Sequence, residues 1–298
     1  MDLEGSGEVP EIGLVSDLMT LTKARLSLLV IITTFVGFCM ASPAKLDWLL
    51  LVHAVFGTTL AAAAAAVLNQ WSESHVDRLM ERTKQRPLPA GRMKPGAALL
   101  LGIALAAIGV GWLWCTTNQM SALLAAATVV IYLFLYTPLK RRTAFCTIVG
   151  AVSGAIPPMI GWTAAQGGSP TLGLGAWILF GVLFSWQMPH FLAIAWIYRD
   201  EYAQAGFVML KRDDVSGVIT ALTSLIFAVG LAVVSAIPFF SGSNNLVYFV
   251  GAVMLNGTLL VLALRFLIER SRLTARFLFF GSIIFLPLLL GLMIFTKR

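Results

Sequence analysis

The stretch LLLVHAVFGTTLAAAAAAVLNQWSESHVDRLMERTKQRPL, residues 49–88, decides how the rest of the chain is read. It begins as an uncharged apolar run, passes through Ala61–Ala66, and then turns abruptly polar. An apolar run of this length crosses a hydrocarbon core of about 30 Å as a helix. Asn69, Glu73 and Asp77 follow at i, i+4 and i+8, which stacks them on one face if the helix continues. The reading is a membrane helix that emerges into an acidic stripe.

The rest of the chain agrees with a membrane setting. Apolar residues make up 58% and charged residues 12%, and a soluble domain carries about twice that share of charge. Apolar spans fall at roughly 24–41, 47–69, 96–116, 121–138, 144–165, 173–197, 216–240, 246–268 and 275–295. The expected fold is therefore all-α: a polytopic integral membrane protein with nine transmembrane helices around a central cavity. It forms one domain over 1–298, with 1–23 as a polar N-terminal arm. The polar stretches 70–95 and 198–215 are too short to bury a core of their own. Cys39, Cys115 and Cys146 lie in or beside apolar spans with no CxxC pair, and read as small hydrophobes.

Charge sets the expected orientation. Alternate loops carry the bases: Arg78, Arg82, Lys84, Arg86, Arg92 and Lys94; Lys140, Arg141 and Arg142; Arg199, Lys211 and Arg212; Arg270, Arg272 and Arg276. The intervening loops are nearly uncharged. Basic loops stay inside, which puts the N-terminus in the cytoplasm and the C-terminus outside. The net charge of +7 thus belongs to one membrane face and implies no nucleic acid. The arm carries Asp2, Glu4, Glu8, Glu11 and Asp17 before its first base, unlike an organelle transit peptide. A cell inner membrane is expected, with multiple passes and membrane lipid as a partner.

Two carboxylates and an amide oxygen in a row suit a hard cation, and Mg²⁺ is commonly held by one or two carboxylates plus substrate phosphates. Arg78, Arg82, Lys84 and Arg86 follow at once, and such bases neutralise phosphate oxygens. Acids for a metal beside bases for its phosphate describe a diphosphate site. The plainer alternative is a solvated helix with local pairs such as Glu73–Arg78 or Asp77–Arg82. A weaker echo closes the sixth span: Tyr198-Arg199-Asp200-Glu201-Tyr202, then Lys211. Adjacent acids point about 100° apart on a helix, so one would face the cavity and the other solvent. The echo suggests two four-helix halves with a ninth helix added. Within the sixth span, Trp186, Gln187, Pro189 and His190 put polar groups at membrane depth, where the default reading is functional. Gly150 and Gly154 permit close packing, and Pro157-Pro158 a helix break. His75 lies off the acidic stripe and reads as interfacial.

The run from Asn69 through Glu73, Asp77, Arg82-Thr83, Arg86-Pro87 and Leu88 resembles the first motif of the protoheme IX farnesyltransferases, a branch of the UbiA-type intramembrane prenyltransferases. Tyr136-Thr-Pro-Leu-Lys140-Arg141-Arg142-Thr143 is similar to the family's basic loop, Trp186-Gln187-Met-Pro189-His190-Phe191 to its sixth-helix signature, and Lys23-Ala-Arg25 to the start of its first helix. The resemblance covers nearly the whole chain. It implies transfer of a farnesyl group from farnesyl diphosphate to the 2-vinyl group of heme b, with water added, giving heme O and pyrophosphate. It implies Mg²⁺ on Asn69, Glu73, Asp77 and Asp200, with Glu201 as the other second-site candidate. Diphosphate would meet Arg78, Arg82, Lys84, Arg86, Lys140, Arg141 and Lys211, and heme would meet His190, Gln187 and Trp186. Heme A synthase or a terminal oxidase assembly factor would be partners. The superfamily's second motif is Asp-x3-Asp, whereas Gln204 stands four residues after Asp200. Other readings are a prenyltransferase with an aromatic acceptor such as 4-hydroxybenzoate, and a secondary transporter.

Overall fold

The computed structural model describes residues 13–42, 45–211 and 213–298; the side chains of 24–26 are not described. Asp2, Glu4, Glu8, Glu11, Arg212 and the Arg25 side chain therefore lie outside the described residues. In chain order the elements are α1 (Leu14–Leu21), α2 (Ala24–Ala41), α3 (Trp48–Asp77), α4 (Pro95–Thr116) and α5 (Gln119–Val130). A π-helical segment (Ile131–Tyr136) leads into α6 (Thr137–Leu139), then α7 (Cys146–Ala155), α8 (Pro157–Ala164), α9 (Leu174–Ile197), α10 (Arg199–Gln204), α11 (Val218–Phe240), α12 (Leu246–Glu269) and α13 (Arg272–Phe295).

Among the described residues eight helices are long and apolar enough to cross a membrane, rather than the nine expected; α2 contributes a shorter apolar run, Ser27–Ala41. The protein is an integral membrane protein. The polar arm is not wholly irregular, because its end forms α1 with Asp17 and Leu21 buried. Arg92 reaches Asp17 through Nε (3.1 Å to both carboxylate oxygens) and Nη2 (2.9 Å to Oδ1). Gln70 Nε2 donates to the Thr20 and Leu21 carbonyls at 3.1 and 2.6 Å, covering the open end of α1.

Helix α3 has 30 residues, which at 1.5 Å per residue spans about 45 Å. It outruns a hydrocarbon core of about 30 Å, so its last turns project beyond the apolar layer with the acidic stripe on them. The Pro157-Pro158 pair ends α7 and begins α8, since a proline lacks the N–H that an uninterrupted helix needs. Pro189, by contrast, is carried inside α9. Helices α2 and α8 approach through two glycines. A Cβ on Gly37 would collide with the Pro158 carbonyl, and one on Gly161 with the Thr34 carbonyl.

The helices α3, α7–α8 and α9 are the most enclosed, whereas α4, α5, α11 and α12 turn most of their apolar windows outward, as lipid-facing helices do. The largest core cluster joins α9, α11, α12 and α13, with Val36 of α2 and Ala155 of α7. Helix α13 packs against α9, α12 and α2, and is built into the bundle instead of being appended to it.

Candidate active site

The end of α3 carries the first half of the site. Asn69, Glu73 and Asp77 are all buried, and each meets a cation from a different part of the chain. Lys23 Nζ donates to Asn69 Oδ1 at 3.3 Å. Lys140 Nζ lies 2.8 and 3.1 Å from the two Glu73 oxygens. Arg86 Nη1 lies 2.7 Å from Asp77 Oδ2. The local pairs Glu73–Arg78 and Asp77–Arg82 do not form; the partners come from farther along the chain.

Local chemistry explains the Arg-Thr-x-x-Arg element. Thr83 Oγ1 donates to the Asp77 carbonyl at 2.8 Å, satisfying one open carbonyl at the end of α3. Met80 and Leu88 are buried and anchor the returning chain. The return brings Arg86 back onto Asp77, while Arg82 Nη2 donates to Tyr202 Oη at 3.2 Å. The Arg82 guanidinium lies 5.4 Å from the Tyr198 ring centre and 5.7 Å from that of Tyr202, within cation–π range. Arg82 therefore links the two acidic segments across the mouth of the site.

Lys23 sits between α1 and α2 in the left-handed region, φ 50°. A lysine held there carries backbone strain, which collects at functional sites. The π-helical segment is a second irregularity of the kind that marks such sites. Just after it, Thr137 Oγ1 donates to the Tyr132 carbonyl five residues back, at 2.8 Å, and accepts from Asn69 Nδ2 at 3.1 Å. Lys140 Nζ stands 4.6 Å from the Tyr136 ring centre. Burial by itself lowers the Lys140 pKa, but Tyr136 and the Glu73 carboxylate outweigh burial and leave it raised, so the ammonium keeps its charge.

The second acidic segment resolves into two directions. Asp200 is exposed and pairs with Arg272 of α13 and, at 3.6 Å, with Arg199. Glu201 is partly buried, and its Oε2 is enclosed with no hydrogen-bond partner among the described residues. Of the basic residues, Arg78, Arg141 and Lys211 are exposed, and Lys84 pairs with Glu81 at 2.6 Å. His75 is exposed. Among the described residues, Lys23, Lys140 and Arg86 are the cations in contact with the stripe.

Beneath the stripe lies a cavity of about 310 Å³, at the lower end of the usual range for ligand pockets. Lys23, Tyr132 and Tyr136 line it, as do Ala61, Ala62, Ala65 and Ala66 of α3 and Gly150, Gly154, Trp186, Gln187 and His190 of α7 and α9. The alanines leave space that larger side chains would fill. Gln187 Nε2 donates to the Leu183 and Ala151 carbonyls at 3.0 and 3.3 Å. Trp186 Nε1 donates to the Ser282 carbonyl at 2.7 Å, and the indole stacks on His190 at 4.9 Å.

Among the described residues no three His, Cys, Asp or Glu side chains converge as a ready metal cluster. Asn69, Glu73 and Asp77 nevertheless present hard oxygens on one face, and Glu201 Oε2 is an enclosed oxygen without a partner among the described residues. That donor set fits a hard cation arriving with phosphate, which would take up Lys23, Lys140 and Arg86 as the carboxylates turn to the metal. The roles of Lys23, Thr137 and Ser282 are not legible in the sequence, because Asn69 lies far from Lys23 and Thr137, and His190 far from Ser282.

An acidic and basic mouth over an apolar intramembrane cavity defines a class: a helical membrane enzyme that works on a substrate with an ionic head and an apolar tail. The chain belongs to the UbiA prenyltransferase family, whose model matches residues 30–286. It is 41% identical to a protoheme IX farnesyltransferase of Solibacter usitatus (94% of this chain, 98% of the relative) and 42% identical to one of Opitutus terrae (95% of each). The mitochondrial protoheme IX farnesyltransferase of Homo sapiens is 38% identical over 94% of this chain and 62% of its own length. The fold matches a digeranylgeranylglyceryl phosphate synthase, with a TM-score of 0.80, 15% identity, and 95% and 98% of the two chains covered. It also matches a UbiA homolog from Archaeoglobus fulgidus bound to DMAPP and Mg²⁺, with a TM-score of 0.66, 14% identity, and 93% and 99% covered.

Proposed function

We propose that this protein makes heme O, transferring the farnesyl group of farnesyl diphosphate to the 2-vinyl group of heme b with addition of water and release of pyrophosphate. Its protoheme IX farnesyltransferase relatives support the choice of donor and acceptor. The single observation that carries the reading is the pairing of the buried Glu73 and Asp77 carboxylates with the partly buried Lys140 and Arg86 at the mouth of the alanine-lined cavity. Charges of both signs, largely screened from water, hold a metal diphosphate; the apolar space beneath takes the isoprenoid tail.

Asn69, Glu73 and Asp77, with help from Glu201, would hold Mg²⁺, which when bound supplies positive charge to the leaving pyrophosphate. Lys140, Arg86 and Lys23 meet the diphosphate oxygens as charge grows on them. Arg82 closes the mouth against Tyr198 and Tyr202, and the apolar walls keep stray water from the allylic carbon. The Tyr132 and Tyr136 rings border that carbon and favour positive charge. The carbon–oxygen bond to diphosphate breaks and the outer vinyl carbon bonds to the farnesyl carbon. The inner vinyl carbon then takes the oxygen of water, which gives up a proton. His190 stands on the heme side of the cavity.

The basic face is cytoplasmic, following the positive-inside bias of the loops, in a cell inner membrane. The product would pass to heme A synthase or to terminal oxidase assembly. Glu73→Ala and Asp77→Ala are expected to abolish heme O in expressing cells while protein still reaches the membrane. Wild-type heme O yield from either would overturn the assignment of the site.

A further inference from the structure

On the apolar wall of the cavity, His190 is partly buried in α9, with Nδ1 2.8 Å from Ser282 Oγ of α13. A serine hydroxyl owns one proton. Here that proton is committed, because Ser282 Oγ donates to the Phe279 carbonyl at 2.6 Å. Oγ then offers His190 only lone pairs, so Nδ1 must carry the ring proton. In a neutral imidazole the other nitrogen, Nε2, is left as an acceptor. No hydrogen bond to Nε2 forms among the described residues.

The ring is also held in orientation. Trp186 stacks on one side at 4.9 Å and 21°, and Phe279 packs at 4.9 Å and 31°. Trp186 is itself tied through Nε1 to the Ser282 carbonyl. Ser282, fully buried, thus grips both His190 and its stacking partner. A histidine whose Nδ1–H is anchored and whose Nε2 is free is arranged as metal-ligating imidazoles are: the second nitrogen donates a hydrogen bond that fixes tautomer and orientation.

We infer that Ser282 is a positioning residue that holds His190 as its Nδ1–H tautomer, presenting Nε2 to the iron of a metalloporphyrin in the cavity. This rests on the reading of heme as acceptor. The test titrates purified protein in lipid nanodiscs with ferric protoheme IX, following the Soret band, and in parallel with farnesyl diphosphate by calorimetry. Wild type should give an imidazole-ligated spectrum that His190→Ala loses. Ser282→Ala should bind heme about 10- to 100-fold more weakly, Ser282→Thr should restore the spectrum, and all should bind farnesyl diphosphate as wild type does. Unchanged heme affinity and spectrum in Ser282→Ala would overturn the positioning role, as would a parallel loss of farnesyl diphosphate binding. If wild type binds farnesyl diphosphate but no heme, it is the proposed acceptor that fails. A His190→Ala spectrum equal to wild type would remove the ligand.

Discussion

Lys140→Met and Glu73→Gln, made singly and together, separate what the buried pair does for the fold from what it does for chemistry. The two side chains are 11% and 9% exposed, with the ammonium 2.8 Å from the nearer carboxylate oxygen. Removing either member strands the other charge in a site largely shut from water, and breaking a buried pair in this way costs about 3–5 kcal/mol. Removing both strands nothing, so the double variant should cost well under the sum of the singles. An interaction energy of about 2–3 kcal/mol is expected from denaturant unfolding in micelles. Turnover should behave differently. Lys140 meets the leaving diphosphate and Glu73 would hold the Mg²⁺ that offsets its charge, so each single variant should lose about 10²–10³ in rate, and the double variant should not recover. The assay reconstitutes each protein in liposomes with farnesyl diphosphate, heme b and Mg²⁺, and measures heme O by mass spectrometry. Stability changes that add to within about 0.5 kcal/mol would refute the coupling. Product formation by the double variant at the wild-type rate would refute the chemical role.

The two second-segment acids should separate as sharply. Asp200→Asn breaks only exposed pairs, to Arg272 and Arg199, of a type worth up to about 1 kcal/mol each, so its rate should fall less than about tenfold; Glu201→Gln should lose about 10² or more in the same assay. Ala62→Phe places a ring in the cavity, and should depress farnesyl transfer more than geranyl transfer when the two diphosphates compete. Gly37→Ala forces a methyl against the Pro158 carbonyl and should destabilise the α2–α8 contact by about 1–3 kcal/mol in thermal unfolding.

Much of this architecture was legible because its signals are local. Apolar length located the helices, and the i, i+4, i+8 spacing placed Asn69, Glu73 and Asp77 on one face of a helix whose calculated length carries them past the membrane. Two adjacent prolines gave the α7–α8 break. The partners were not legible. Glu73 meets Lys140 and Asp77 meets Arg86, although Arg78 and Arg82 are nearer in sequence, because the Thr83 cap folds the chain back and sends Arg82 to Tyr202. Spacing alone showed that Asp200 and Glu201 must diverge, but not which turns inward; Arg272, on the last helix, draws Asp200 out. The same helix supplies Ser282 behind His190, and no periodicity links two residues so far apart. Helix α1 is not legible because eight residues with three exposed apolar side chains, Leu14, Val15 and Met19, carry too short a pattern to stand out.

The most direct test of the central claim is to give purified protein radiolabelled farnesyl diphosphate and Mg²⁺ with heme b or with 4-hydroxybenzoate, and to weigh the products. Label should pass to heme b with the mass gain of one farnesyl group and one hydroxyl, accompanied by pyrophosphate. Label on 4-hydroxybenzoate with none on heme would contradict the acceptor, and no pyrophosphate release with either would contradict the enzyme.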